Sequence, residues 1–134
     1  MVALADKRDR MQADVAAILR DEPGELVIPE LVCAEVDYLL GSRLGRPARL
    51  AFLTDLRAGR FITASLERDD YGVIATLESK YADLDAGLTE LSVVVIAARR
   101  ETSRLLTFDE RHFRPLRTLD GKQFVLLPAD DQRA

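Results

Sequence analysis

Residues 87–109, GLTELSVVVIAARRETSRLLTFD, decide how the rest of the chain is read. A small-residue turn at Ala86-Gly87 opens a helix that the spacing predicts over 89–100. A short buried strand follows at 104–107, RLLT, and runs out onto Asp109. At about 100° per residue the helix sets Thr89, Ser92, Arg99 and Arg100 on one side. Glu90 falls on the other, with Val93, Val94 and Ala97 at i+3, i+4 and i+7. A carboxylate on an apolar face needs compensation, because burying an unpaired charge costs several kcal/mol or more. The helix N-terminus supplies some of it, and a metal cation would supply more. Asp109, just past the C-terminal end of a strand, stands where open α/β sheets put ligand groups.

At 134 residues the whole chain, 1–134, reads as a single domain with room for a real core. Hydrophobic residues make up 48% and charged residues 31%, the balance of an ordinary soluble protein. A net charge of −4 argues against a broad basic nucleic-acid surface. It leaves open an enzyme that meets nucleic acid through metal ions, which bring their own positive charge. One cysteine, Cys33, excludes an internal disulfide and a cysteine-built zinc site, and one histidine, His112, excludes a histidine-rich one. No apolar run approaches the 18 or so residues of a membrane span, and the charged N-terminus is not a signal peptide, so the expected compartment is the cytoplasm.

Outward from the central stretch, short apolar runs alternate with helical spacing. Helices are expected over 7–21, 30–40 with Gly41 closing it, 47–58 with Pro47 near its start, and 67–81 with Ser65 as its cap. Strands are expected at 26–28, 61–64, 104–107 and 124–127. That alternation predicts βαβ units and a parallel sheet covered on both faces.

The acids need separate readings. In the 30–40 helix Leu31, Val32, Val36, Leu39 and Leu40 form an apolar arc, and Glu35 falls inside it, whereas Glu30 and Asp37 point to solvent. Glu35 is either a site residue or a half-buried glutamate paired with an arginine. Glu90 is either a ligand or a first-turn acid favoured by the helix dipole. Asp109 is either a ligand or the N-cap of a short helix over Glu-Arg-His-Phe. Together they put three carboxylates at interior or strand-end positions, and hard oxygen donors without His or Cys suit Mg²⁺ or Mn²⁺. Such sites activate water for phosphodiester cleavage. Asp83 and Asp85 read as solvated, His112 as a local packing residue, and Thr107 as strand filler or a ligand-orienting group. There is no G-x-S-x-G elbow, Walker A loop or G-x-G-x-x-G loop.

Three pieces, PELVCAEVDYLL around Glu35, YADLDAGLTELSVVVIAARR around Glu90 and LLTFDERHF around Asp109, resemble the PIN-domain family, specifically the VapC-type toxins of bacterial toxin–antitoxin pairs. The resemblance covers nearly the whole chain. It implies a three-layer α/β/α fold with a central parallel sheet. It implies an Mg²⁺- or Mn²⁺-dependent endoribonuclease that cuts an RNA substrate, forms a homodimer and is silenced by a cognate antitoxin. Glu35, Glu90 and Asp109 would be its catalytic, metal-holding acids. Two features depart from the family. Glu90 stands where the family has Asp, and the family's first strand, ending in a ligand Asp, has no counterpart. ALAD at 3–6 resembles the stretch just after that motif, and Asp6 and Asp9 belong to the first helix region. MVAL is too short to serve as that strand, so the chain is expected to lack it, with the natural reading frame starting upstream or its beginning lost. The alternatives are a degenerate, non-catalytic PIN domain that still binds an antitoxin, and a structure-specific DNA nuclease.

Overall fold

A computed structural model describes residues 2–3, 26–107, 110–127 and 129–130. The helix expected over 7–21, with Asp6 and Asp9, and the acid Asp109 lie outside the described residues.

Five strands form one sheet: β1 (Val2–Ala3), β2 (Val27–Pro29), β3 (Ile62–Ala64), β4 (Arg104–Leu106) and β5 (Val125–Leu127). They pair in the order β3-β2-β1-β4-β5, and every pairing is parallel. Consecutive residues of a strand point to opposite faces. Val27 and Ile28, Leu105 and Leu106, and Leu126 and Leu127 are all buried, so both faces of the sheet are covered, as a three-layer α/β/α arrangement requires.

The expectation that the first strand is missing is corrected. Val2–Ala3 occupies the central position, with Val2 opposite Val27 on one side and Leu105 on the other, and Ala3 opposite Leu106. The neighbouring strands are only three residues long, so two residues suffice to bridge them.

The helices follow the predicted periodicity with shifted ends. Helix α1 (Glu30–Arg43) runs through Gly41 instead of stopping there. The turn comes at Gly45, whose φ of 90° is the left-handed backbone that glycine tolerates. Helix α2 (Arg46–Arg57) carries Pro47 in its first turn. Helix α3 (Arg68–Lys80) takes Glu67 as its N-cap; Glu67 N–H donates to Asp70 Oδ2 at 2.7 Å. Ser65 is therefore not the cap, and its hydroxyl donates instead to Glu30 Oε1 at 2.9 Å. Helix α4 (Leu88–Arg99) is the centre of the molecule: all seven residues 91–97 are buried, including Ser92, whose hydroxyl satisfies itself on Thr89 O at 2.6 Å. A helix buried all round has no polar side to show at Ser92, because α4 packs on β1 and β2, on α3 and on α1. A last turn, α5 (Glu110–Phe113), follows β4 and is anchored by buried Phe113. No helix among the described residues is long and apolar enough to cross a membrane.

Candidate active site

In an all-parallel sheet every strand ends at the same edge, and here that edge carries the starts of α1 and of the segment after β4. The order β3-β2-β1-β4-β5 reverses direction between β1 and β4, the crevice where open α/β sheets bind ligands.

Glu35 sits in the second turn of α1 and is half-buried. Its helix turns Val32 fully inward, with Cys33, Val36 and Leu40 packed against the core, while Leu31 and Leu39, which flank Glu35 along the helix, are only half-buried. Glu35 thus lies at the margin of the apolar face, a milder position than the arc of apolar residues predicted.

Glu90 is half-buried in the first turn of α4. Its face-mates Val93, Val94 and Ala97 are buried, as the spacing predicts. Glu90 Oε2 accepts the Gly87 N–H at 3.2 Å, so the helix start compensates its charge through a hydrogen bond as well as the dipole. Helices α1 and α4, which carry these two glutamates, are in contact.

Asp109 follows Thr107 by two residues. Thr107 is buried, and its N–H donates to Leu127 O at 3.0 Å, extending the β4–β5 ladder by one bond. Among the described residues no three His, Cys, Asp or Glu side chains come close enough to hold a metal ion. Asp83, Asp85 and His112 are exposed.

Several charged groups near the strand ends escaped the sequence reading. Arg99 pairs with Asp70 and donates to Ser65 O at 2.8 Å, tying α4 to the turn after β3. Asp37, expected in solvent, accepts a two-pronged bond from Arg49 at 2.8 and 2.9 Å, which joins α1 to α2 and holds its carboxyl below the usual range. The pair lies in an open groove of about 560 Å³ lined also by Gly41, Arg46, Leu50 and Leu53, and containing neither Glu35 nor Glu90. Arg114 grips Asp130 with both nitrogens, at 2.8 and 3.0 Å, and also reaches Glu110. Of these only Glu110–Arg114, four apart on one helix turn, had a readable signal. Burial first, and the charge of Glu30 second, push the Cys33 thiol up, which disfavours the thiolate.

Over 128 residues the chain is 33% identical to ribonuclease VapC26 of Mycobacterium tuberculosis (strain ATCC 25618 / H37Rv), a match that spans 96% of this chain and 95% of that protein. The chain belongs to the VapC family. No protein-family model matches it. The fold is also that of the crystal structure of Mycobacterium tuberculosis VapC20, a sarcin–ricin loop cleaving toxin: TM-score 0.71 and 12% identity, over 82% of this chain and 91% of that one. At that identity the likeness speaks for the fold alone.

Proposed function

We propose that this protein is a divalent-metal-dependent endoribonuclease, the toxin of a toxin–antitoxin pair acting in the cytoplasm. The observation that carries the reading is end-to-end similarity to a ribonuclease of the VapC family. The geometry supports it. Glu35 and Glu90 sit on helices that touch, and in the sequence Asp109 comes shortly after β4.

The donor set fits a hard cation. Glu35, Glu90 and Asp109 offer only carboxylate oxygens, and the hydrogen bond from Gly87 fixes one oxygen of Glu90 while leaving the other for a ligand. Mg²⁺ or Mn²⁺ bound there would supply Lewis acidity and a water of lowered pKa. The chain's own part is positioning: the α4 N-terminus steadies the Glu90 charge, and buried Thr107, two residues before Asp109 in the sequence, is held to Leu127 O beyond the end of β4. The partners that go with this reading are a structured RNA, a cognate antitoxin and a second copy of the chain. The exposed Tyr38, Leu44, Leu50 and Leu53 on the α1–α2 hairpin give such a protein partner apolar surface to cover.

Purified full chain, incubated with structured RNA and flap DNA side by side, should cut the RNA with Mg²⁺ or Mn²⁺ and stop in EDTA. Cleavage unchanged in EDTA overturns the mechanism, preferential cutting of the flap selects a DNA nuclease, and no cutting with antitoxin binding retained selects a non-catalytic module.

A further inference from the structure

Of the twelve residues of α2 only Phe52 is buried. At about 100° per residue Arg46, Leu50, Leu53 and Arg57 fall within an arc of about 60°, one stripe along the helix. All four are exposed, the two leucines at 43% and 46%. The order along the stripe is cation, leucine, leucine, cation. Arg46, Leu50 and Leu53 also line the open groove of about 560 Å³ that α2 shares with α1. The acid in that groove is already engaged, since both oxygens of Asp37 take the Arg49 guanidinium, at 2.8 and 2.9 Å. Among the described residues Arg46 and Arg57 have no ion-pair partner. Residues 43–60 hold five arginines against one aspartate, in a chain whose net charge is −4.

We propose that this stripe docks an amphipathic helix of a different protein, one that carries two apolar side chains between two carboxylates at the same spacing. This rests on the reading that the chain works with a protein partner. Charge decides between the occupants. A second copy meeting the stripe across a two-fold axis sets arginine against arginine: Arg46 faces Arg57 when the helices run antiparallel, and each faces itself when they run parallel. A phosphate backbone fits poorly as well. Arg46 and Arg57 stand about 16 Å apart along the helix axis, and the leucines between them offer a phosphate no donor. A helix with an acid at each end answers all four residues at once, because its own side chains repeat at the same rise. The leucines supply apolar contact, and the guanidinium forks suit carboxylates and decide which partner is admitted.

The probes are two fluorescein-labelled helical peptides. One presents Glu, Leu, Leu, Glu at i, i+4, i+7 and i+11, and the other has Lys in place of both Glu. Fluorescence polarisation reads their binding to the full chain. The wild type should bind the Glu peptide saturably and about tenfold more tightly than the Lys peptide. The double variant Arg46→Glu with Arg57→Glu should reverse that preference. Leu53→Ser should weaken the Glu peptide by about tenfold, and Tyr71→Ser, on the exposed side of α3, should bind as the wild type does. Leu53→Ser leaves the charges in place, so it reports even where the double variant folds poorly. Sedimentation should give Leu53→Ser and the wild type the same oligomeric state. No saturable binding of the Glu peptide, equal affinity for the two peptides, or an unreversed preference in the double variant overturns the proposal. A wild-type dimer that Leu53→Ser dissociates assigns the stripe to a second copy and overturns it too. So does an RNA oligonucleotide that displaces the Glu peptide and no longer binds the double variant. A wild type that cuts no RNA yet binds the Glu peptide overturns the ribonuclease reading alone. One that cuts RNA and binds neither peptide overturns the docking stripe alone.

Discussion

Replacing Gly87 with alanine presses on the proposed site through one contact. Gly87 has φ −93° and ψ −175°, extended backbone that alanine adopts without strain. A Cβ built there meets Glu90 Oε2 at 3.3 Å, tighter than ordinary contact by a few tenths of an ångström. That oxygen is already held by the Gly87 N–H at 3.2 Å, so the carboxylate has to tilt away. The folding effects oppose each other. Alanine is the poorer N-cap by about 0.5–1 kcal/mol, and the stiffer unfolded chain returns about 0.4–1 kcal/mol. The melting temperature should therefore stay within about 5 °C of wild type. The functional effect does not cancel. A misplacement of about 1 Å at a reacting centre costs about 100-fold, so a tilt of about one-third of that predicts roughly a fivefold loss of kcat/KM on RNA at fixed Mn²⁺. The assay pairs that rate with a melt in EDTA. Unchanged cleavage in a protein of unchanged stability would show that Glu90 only caps its helix.

The packing and the charges lead to three other expected outcomes. Leu105→Ala empties a fully buried site on β4 and should cost about 2–5 kcal/mol in a urea melt; a loss below about 1 kcal/mol would place the core elsewhere. The Glu67 N–H, with Arg99, holds the Asp70 carboxyl below its ordinary range, and Arg114, with the Leu126 N–H, does the same for Asp130. Groups with a depressed folded pKa stabilise above the unfolded carboxyl value of about 3.9 and lose that contribution as pH falls through the folded value. Melting temperature should thus hold from neutral pH down to about 5 and fall below about 4; equal stability at pH 3 contradicts this. The raised Cys33 thiol should react with a disulfide reagent at pH 7 more slowly than free cysteine, and a rate matching free cysteine would mean that it is not shielded as described.

Helices α1 to α4 were legible because each is long enough to show its period; the 12-residue α4 announced itself through consecutive Val, Val, Val and Ile. The strands were found as apolar runs, but their order was not, since three residues carry no register and pairing is set by partners distant in sequence. The same limit hid β1: nothing in Val2–Ala3 marks two residues as the centre of a sheet. Gly41 misled because a glycine inside a helix looks like a stop until the neighbouring helix is seen beside it, with the Arg49 side chain 3.5 Å from where a Cβ would stand. Glu35 and Glu90 were visible as charges out of pattern. Asp37, Asp70 and Asp130 were not, because surface carboxylates look alike until the arginine that meets each one is placed.

Anomalous scattering from crystals soaked in Mn²⁺ tests most directly whether Glu35, Glu90 and Asp109 share one cation site. The predicted result is a peak, or a close pair, with oxygens of all three carboxylates within about 2.0–2.3 Å. A peak bound by other residues, or none at saturating Mn²⁺ in crystals of a protein that cuts RNA, would contradict it.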